Sequence, residues 1–323
     1  PDGGAPVDPR PPPLPMIRLE SGEKLGRYQI EDFVARGGFA CVYLADDGAG
    51  SKVALKVGDM AGGGRYLTRC LEVTSRRSPD WISPDETPGE AVFFRKDGVR
   101  IDFLDLHEID ALVRNEAQLL AGSKSQNLVR AREVFEFEGR PVLVLDFVRG
   151  KTLREKIRAL EGIRLNWFLA IVRALQRLSR TGPLRYHGDL KPENVIVRPS
   201  GGVVMVDPAL RDEARGLIST TPHYNPLLRR DTKADVMGIG VMLYEILTGT
   251  LPFDEVPWSF AGREQGGEVE RLSLSYFLSY PPPRELNPNT PLALEKIVYR
   301  CLVVQEYDLP DLERDLVAFL RRP

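Results

Sequence analysis

The stretch His187-Gly188-Asp189-Leu190-Lys191-Pro192-Glu193-Asn194 concentrates polar chemistry in eight residues of a 323-residue chain. A further acidic residue, Asp207, follows Asn194 by thirteen positions and comes directly after an apolar run. Transfer of a phosphoryl group bound to Mg²⁺ requires a carboxylate that orients the attacking hydroxyl, a cation near the phosphate and hard oxygen ligands for the metal. Asp189 and Lys191 suit the first two requirements, and Asn194 and Asp207 suit the third.

This stretch resembles the catalytic loop of protein kinases, usually His-Arg-Asp-Leu-Lys-Pro-Glu-Asn, and Asp207 falls where that family keeps its Asp-Phe-Gly metal ligand. The resemblance implies ATP and Mg²⁺ as cofactors, Asp189 and Lys191 as catalytic residues, and Asn194 and Asp207 as metal ligands. It implies an α+β, two-lobed protein kinase-like fold, in which a small antiparallel β-sheet with one helix precedes a mainly helical lobe. Lys191, in place of the arginine pattern of tyrosine kinases, favours proteins with Ser/Thr hydroxyls as acceptors.

A glycine turn lies between two segments that alternate apolar and polar residues within 27–45, which predicts a β-hairpin. The turn resembles the kinase glycine-rich loop, which covers the phosphates of ATP, and the resemblance makes Gly37 and Gly38 phosphate-binding residues. Ala35 and Ala40 replace two of the three family glycines. An ordinary hairpin also favours glycine at its tip, so this motif depends on its context.

That context is the run Val53-Ala54-Leu55-Lys56-Val57, which predicts a strand and is similar to the family's Val-Ala-Ile-Lys. A lysine among apolar neighbours needs an ionic partner if it is buried. In the helical pattern that follows, Glu116 comes four residues after Leu112 and lies within the apolar stripe. The resemblance therefore predicts a catalytic ion pair between Lys56 and Glu116, with Glu108 as a less well-placed substitute.

Two further apolar segments, 134–137 and 142–145, predict strands that complete the small sheet. By resemblance, the residues after them form the hinge whose backbone holds adenine, including Asp146 and Val148. The side chains that the resemblance assigns to the faces of the adenine ring are Val42, Ala54 and Ile196. Any of these three could equally be an ordinary core residue.

The predicted domain organisation is a proline-rich linker at 1–15, an N-lobe at 16–148 and a C-lobe at 149–323. Seven of the first fifteen residues are proline, and this composition is typical of an extended linker. Since the sequence has neither an initiator Met nor a signal peptide at its start, we expect it to be part of a longer multidomain protein.

An insert of about 58–105 separates Lys56 from Glu116, and in most kinases this connection is much shorter. Within it, an Asp-Gly pair lies between two apolar-rich runs in 91–103, which predicts a hairpin. Two interpretations of the insert remain open, a surface flap and a partner or regulatory site.

The composition bounds the class of protein. With 42% hydrophobic residues, 28% charged residues and a net charge of −2, the chain can bury a core and has no global charge that favours nucleic acid. Cys41, Cys70 and Cys301 lie far apart, which favours free thiols and a cytoplasmic location. The longest apolar stretch, 236–247, contains Glu245 and is too short for a membrane span. It resembles the central helix of the kinase large lobe, which begins at the residue that supports the catalytic loop, here Asp235.

Three departures from the kinase pattern concern regulation. Gly188 replaces an arginine that receives an activation-segment phosphate in many kinases, so we expect activity without that phosphorylation. Pro208-Ala209 replaces Phe-Gly, and a following proline predicts extended dihedrals for Asp207, which would hold it facing the metal. Tyr224-Asn225-Pro226 lacks the glutamate of the family's Ala-Pro-Glu.

Three functions fit these residues. The first is an ATP-dependent Ser/Thr protein kinase, for which every required side chain is present. The second is a pseudokinase, a nucleotide-binding interaction module, which Ala40, Gly188 and Pro208-Ala209 favour. The third is a small-molecule kinase of the aminoglycoside or choline type, in which His-Gly-Asp and Asp-Pro also occur.

Overall fold

The computed structural model describes residues 19–37, 39–58, 65–70, 92–94, 99–123, 125–181, 183–212, 217–218, 220–221, 223–226, 229–253, 280–304 and 306–321. The predicted linker at 1–15 lies outside these residues. Within them, an antiparallel β-sheet with one helix is followed by a mainly helical lobe, which confirms the predicted fold class. No helix in this described part is long and apolar enough to cross a membrane.

The strands in chain order are β1 (Lys24–Leu25), β2 (Tyr28–Arg36), β3 (Ala40–Asp46), β4 (Lys52–Gly58), β5 (Arg65–Cys70), β6 (Val92–Phe94), β7 (Val99–Asp105), β8 (Ala131–Phe137), β9 (Arg140–Asp146), β10 (Lys151–Thr152), β11 (Val195–Val197), β12 (Val203–Met205), β13 (Arg211–Asp212) and β14 (Leu217–Ile218). The α-helices are α1 (Leu106–Ala121), α2 (Leu153–Arg158), α3 (Leu165–Arg180), α4 (Thr232–Thr248), α5 (Pro283–Leu286), α6 (Leu292–Val303) and α7 (Leu309–Leu320). A 3₁₀ turn spans Pro192–Asn194.

The main sheet has six strands in the order β1-β2-β3-β4-β9-β8, all antiparallel. Side chains alternate between the two faces of a strand, so β4 and β9 contribute to two separate cores. The outer face carries a small core with Val53, Leu55 and Val57. The inner face, with Ala54, belongs to the larger core that continues through α1 into the helical lobe. Lys56 is buried on this inner face among apolar neighbours.

The insert forms a separate sheet in the order β5-β7-β6. Val92 pairs with Ile101 and Phe94 pairs with Val99, which confirms the predicted hairpin, although its turn lies outside the described residues. β7 ends at Asp105 and α1 begins at the next residue. The insert is therefore joined directly to the helix that carries Glu116.

Helix α4 is the centre of the helical lobe. Its residues from 234 to 245 are all buried, as expected for a helix that is apolar on every side. The Asp231 side chain caps its start by accepting from the Lys233 N–H, and Gly249 ends it with a φ of +79°. The ends of α4 are thus defined by local sequence, and its position is defined by burial between α3 and α6.

A small sheet, β10-β11-β12, supports the loops that carry the predicted metal ligands. Val195 pairs with Met205, so Asn194 directly precedes β11 while Asp207 comes two residues after β12. The Val206 N–H donates to the Asn194 carbonyl at 2.9 Å. Two paired strand ends therefore bring Asn194 and Asp207 together, as the sequence predicts.

Candidate active site

The loop at 187–194 is anchored on α4 by one carboxylate. The His187 N–H donates to Asp235 Oδ2 at 2.9 Å, and the Gly188 N–H donates to Asp235 Oδ1 at 2.7 Å. Asp235 is completely buried, and this burial raises its pKa to about 7, although the two amides act in the opposite direction. The catalytic loop is thus held by backbone contacts to the core helix of the lobe.

Gly188 has a structural role that sequence reasoning missed. Its φ is +77°, a left-handed conformation that glycine adopts without steric cost. A Cβ at this position would lie 2.9 Å from the Ala209 Cβ and 2.9 Å from the Tyr186 ring. The absence of a side chain is therefore part of how the loop packs, besides removing the family arginine.

His187 is a completely buried packing residue of the loop. Its Nε2 lies 3.0 Å from the Val206 carbonyl and its Nδ1 lies 3.4 Å from the Asp189 N–H. Because a carbonyl can only accept, the proton is on Nε2 and Nδ1 is the acceptor. Burial lowers the pKa of His187, so the neutral ring is favoured and its role is structural.

The Asp189 carboxylate is fixed by three neighbours. Its Oδ1 accepts from the Thr221 N–H at 2.6 Å, and its Oδ2 accepts from Asn194 Nδ2 at 3.0 Å. Lys191 Nζ lies 2.9 Å from the same Oδ2 and also donates to Thr221 Oγ1 at 2.7 Å. The carboxylate, the cation and the threonine therefore form one preorganised group.

Asp207 faces this group from the neighbouring strand end. Its carbonyl accepts from Asn194 Nδ2 at 3.3 Å, and its side chain is 41% exposed. The expected extended dihedrals are wrong, because Asp207 has a φ of +56°. A following proline mainly excludes the right-handed helical region, and aspartate tolerates the left-handed region better than most residues. The Ala209 N–H donates to the His187 carbonyl at 2.7 Å, so tertiary contacts set the local backbone.

Lys56 joins the two lobes. Its Nζ lies 2.6 Å from Glu116 Oε2 and 2.5 Å from Asp207 Oδ1, which confirms the predicted pairing with Glu116 in preference to Glu108. Burial acts to lower the pKa of Lys56, but the two carboxylates outweigh it and raise the pKa above its ordinary value. Burial raises the pKa of Glu116, although the charge of Lys56 acts in the opposite direction. At Asp207 burial also acts to raise the pKa, but the charge of Lys56 outweighs it and the pKa is lowered. One cation therefore holds two carboxylates in the cleft.

Phe39, which sequence reasoning did not single out, covers Lys56. Its side chain is buried, and its ring centroid lies 5.2 Å from Lys56 Nζ. The Gly37 N–H closes the hairpin by donating to the Ala40 carbonyl at 2.7 Å, while Gly38 lies outside the described residues. The cavity that remains is about 20 Å³, which is room for about one water molecule. It is lined by Gly37, Phe39, Ala40, Lys56, Asp189, Asp207, Pro208 and Leu210.

The residues assigned to adenine binding lie around the inner face of the sheet. Val42 pairs with Lys56, and Ala54 pairs with Leu145, so both side chains belong to the same face. All three ring-binding candidates, Val42, Ala54 and Ile196, are partly exposed, as a ligand contact requires. In the predicted hinge, the Asp146 carboxylate accepts from Arg132 at 2.6 Å and Val148 is buried.

The donor set suits Mg²⁺ held together with phosphates. The described residues contain no group of three or more His, Cys, Asp or Glu side chains that could hold a metal ion by themselves. Mg²⁺ is usually bound through one or two carboxylates and substrate phosphates rather than by a cage of protein ligands. The partly exposed carboxylate of Asp207 and the amide oxygen of Asn194 are hard donors on adjacent strand ends and could supply that share.

Comparison with known protein families shows which family this chain belongs to. The family described as protein kinase domain matches residues 104–307, which is more than half of the chain. The chain belongs to the protein kinase family. The match begins at the end of the insert and includes every predicted catalytic residue except Lys56.

Curated bacterial kinases are similar to this kinase domain. It is 31% identical over 207 residues to a probable serine/threonine-protein kinase PknB of Lactococcus lactis, covering 59% of this chain and 31% of the relative. It is 24% identical over 317 residues to the serine/threonine-protein kinase PrkC of Bacillus subtilis, covering 92% of this chain and 40% of the relative. The chain thus spans about a third of the length of these two relatives.

Two solved structures share the kinase fold. One, described as the apo form of PpkA-294, has a TM-score of 0.62 at 18% identity and covers 94% of this chain and 99% of its own. The other, the kinase domain of Mycobacterium tuberculosis PknI, has a TM-score of 0.57 at 16% identity and covers 93% and 99% respectively. At these identities the similarity shows the fold alone.

The kinase domain also contains a polar cluster that the sequence did not reveal. Arg154, near the start of α2, donates from Nε to Glu193 at 2.7 Å and pairs with Glu245 on α4. It also donates to the Tyr224 hydroxyl at 2.6 Å, and Tyr224 donates to Glu245 at 2.7 Å. The cluster ties the catalytic loop and α2 to the activation segment and α4. Charged residues on helices are usually solvated, so sequence alone offers no signal for it.

Asn225 forms two hydrogen bonds with Arg229, near the position where the family's Ala-Pro-Glu has a glutamate. Its Oδ1 accepts from the Arg229 N–H at 2.9 Å, and its Nδ2 donates to the Arg229 carbonyl at 3.1 Å. Thr220, earlier in the segment, donates its hydroxyl to the Gly188 carbonyl at 2.7 Å. Thr220 thus adds a neutral hydrogen bond to the contacts that Thr221 makes with the catalytic loop.

Proposed function

We propose that this chain is an ATP-dependent Ser/Thr protein kinase that transfers the γ-phosphate of Mg-ATP to a protein hydroxyl. The observation that carries the proposal is the assembly of two groups in one cleft. Lys56, Glu116 and Asp207 form the first group. Asp189 and Lys191 form the second, with Thr221 fixing both.

The proposed roles follow from charge and hydrogen bonding. Asp189 accepts the hydrogen bond of the acceptor hydroxyl and orients its oxygen towards the phosphate. Lys191 lies beside that carboxylate and neutralises charge on the transferred phosphate. Lys56 binds phosphate oxygens of the nucleotide, and Glu116 keeps the ammonium group in position.

The proposed cofactor site is ATP with Mg²⁺, held by Asn194 and Asp207. When bound, Mg-ATP supplies the phosphoryl group and a divalent charge that neutralises the phosphates. Gly37 and Gly38 would cover the phosphates, and the backbone of Asp146 and Val148 would bind the adenine edge. The apolar contacts to the ring would come from Val42, Ala54 and Ile196.

The proposed partners are proteins with exposed Ser or Thr hydroxyls. The resemblance supports this acceptor class through the lysine at position 191, and curated relatives that carry the name serine/threonine-protein kinase support it further. Cys41 and Cys301 are buried and neither forms a disulfide, which supports a reducing, cytoplasmic compartment. The greater length of the relatives supports a kinase domain within a longer protein.

Phosphate transfer from labelled Mg-ATP, to the protein itself and to a generic Ser/Thr substrate, tests the proposal. Asp189→Asn is the control, because it keeps the shape of the side chain and removes its charge. We expect incorporation that is lost in the control, with nucleotide binding retained in both proteins. Tight nucleotide binding without transfer to any protein would instead indicate a pseudokinase. Transfer to a small-molecule alcohol alone would indicate the third class.

A further inference from the structure

Besides the ion pair of Glu116, helix α1 carries a second buried ion pair, and the proposed chemistry does not use it. Asp110 lies six residues before Glu116 and is only 8% exposed. Arg140, the first residue of β9, donates from Nη2 to Asp110 Oδ1 at 2.7 Å and from Nε to the same atom at 3.1 Å. A buried, two-point pair of this kind holds its partners in a defined geometry.

Gly58, the last residue of β4, completes the contact. Arg140 Nη1 donates to the Gly58 carbonyl at 3.4 Å. A Cβ on Gly58 would lie 2.7 Å from Arg140 Nη2 and 2.6 Å from Ile109 Cγ2. The backbone of β4, the first turns of α1 and the start of β9 therefore meet at one point, and a side chain at position 58 would displace Ile109 or the Arg140 guanidinium.

This point lies at the base of the insert. The chain leaves the main sheet at Gly58, and it returns through β7 directly into α1 at Leu106. Arg140 comes from a strand outside the insert and contacts Gly58, where the insert begins, and Asp110 in α1, the helix that directly follows the insert. The contact therefore ties α1 to the main sheet on the side where the insert is attached.

We propose that Asp110 and Arg140 are positioning residues, which hold α1 against the main sheet so that Glu116 stays paired with Lys56. Six residues of α-helix separate Asp110 from Glu116 by about 9 Å along the axis and place them on different faces. Two such attachments fix both the translation and the rotation of a rigid helix. The role of Asp110 and Arg140 in catalysis rests on the proposed kinase function. The attachment of α1 to the main sheet does not depend on that function.

The test uses a pair of substitutions that leaves no unpaired buried charge, Asp110→Asn with Arg140→Gln. The matched control is Arg114→Gln with Glu136→Gln, which removes an exposed ion pair between α1 and β8 at 2.8 Å. Hydrogen exchange of the α1 amides at 108–121 is measured in both. We expect exchange to rise about tenfold or more in the first variant and to stay within about twofold in the control. Unchanged exchange in the first variant would overturn the proposal.

A double-mutant cycle with Glu116→Gln tests whether the pair acts through Glu116. In the parent protein, we expect Asp110→Asn with Arg140→Gln to lower kcat about tenfold. In a protein that already carries Glu116→Gln, we expect the same two substitutions to lower kcat by less than about twofold. Equal losses in both backgrounds would mean general damage and would overturn the positioning role. The charge-swapped pair, Asp110→Arg with Arg140→Asp, should recover part of kcat.

These measurements separate the two proposals. A parent protein that transfers no phosphate would contradict the kinase function, and the exchange measurement, which needs no turnover, would then decide the attachment of α1 by itself. An active parent whose α1 exchange is unaffected by Asp110→Asn with Arg140→Gln would leave the kinase function standing and remove the positioning role.

Discussion

At the scale of single residues, Phe39 and Lys56 define how the cleft opens. The ring of Phe39 covers the ammonium group that phosphates would contact, and the cavity beneath holds only about 20 Å³. A cation over an aromatic ring is stabilised by about 0.5–2 kcal/mol, depending on how far it is desolvated. We therefore expect nucleotide binding to move Phe39 and to break this contact.

We expect Phe39→Ala to bind Mg-ATP more tightly, with Kd lowered by up to about tenfold, because the covering contact no longer competes. Fluorescence titration with a labelled nucleotide measures the change. Phe39→Leu, which retains apolar bulk but not the ring, serves as the control and should give a smaller effect. Weaker binding in the alanine variant would show that the ring helps to hold the phosphates.

Gly188 gives a second prediction at this scale. A side chain there must adopt a φ of +77° and approach Ala209 and Tyr186 at 2.9 Å. We expect Gly188→Ala to lower the free energy of unfolding by about 1–2 kcal/mol from the backbone conformation alone, with the close contacts adding to this. Urea denaturation measures the difference.

Gly201→Ala is the matched control for this measurement, since Gly201 is also left-handed but has no atom within 4 Å of an added Cβ. Equal losses at the two positions would mean that the packing against Ala209 and Tyr186 contributes little. A Gly188→Arg variant, which restores the family residue, should be at least as unstable as Gly188→Ala.

At the scale of secondary structure, α4 supports the catalytic loop through Asp235, and this gives a pH dependence. The pKa of Asp235 is raised to about 7 in the folded protein, from about 3.9 for an unperturbed aspartate. Between these values the folded state binds more protons than the unfolded state. The contribution of Asp235 to stability therefore decreases as pH rises and levels off above pH 7.

Asp235→Asn removes this titration. We expect the wild type to lose stability relative to the variant by up to about 1.4 kcal/mol per pH unit between pH 5 and pH 7, with little further change up to pH 8. Urea denaturation of both proteins at four pH values provides the test. A stability difference that stays constant over this range would mean that Asp235 does not titrate there.

The elements also show what sequence reasoning could reach. The placement of Lys56, Glu116 and Asp207 in one cleft was predictable, because the resemblance to kinases assigns them to a strand, a helix and a loop with recognisable patterns. The contact of Arg140 with Asp110 was not, since charged residues in such positions are usually solvated and only tertiary packing buries them. The φ of Asp207 was mispredicted for a similar reason, because the preference before proline is weaker than the surrounding hydrogen bonds.

At the scale of the whole molecule, the insert connects β4 to α1, and contacts outside the insert hold these two elements in place. The main sheet, α1 and the contact of Arg140 with Gly58 and Asp110 all lie outside residues 61–104. Shortening a connection reduces the entropy lost when its ends are brought together, by about 0.6 kcal/mol for each halving of its length.

Replacing residues 61–104 with a short Gly-Ser linker is therefore expected to leave the fold intact and raise stability by about 1 kcal/mol. Thermal unfolding measures this, and phosphotransfer with a generic substrate measures whether the insert affects catalysis. A clear loss of stability would show that the insert packs on the rest of the protein. A changed kcat with unchanged stability would favour the regulatory interpretation over the surface flap.

The anchoring of the catalytic loop by α4 has a consequence during protein synthesis. The amides of His187 and Gly188 depend on a carboxylate that lies 48 and 47 positions later in the chain. At translation rates of about 5–20 residues per second, Asp235 is added roughly 2–10 s after the loop. A partly synthesised chain therefore carries every proposed catalytic side chain before it can hold the loop in position, and we expect no phosphate transfer on the ribosome until the central helix has emerged.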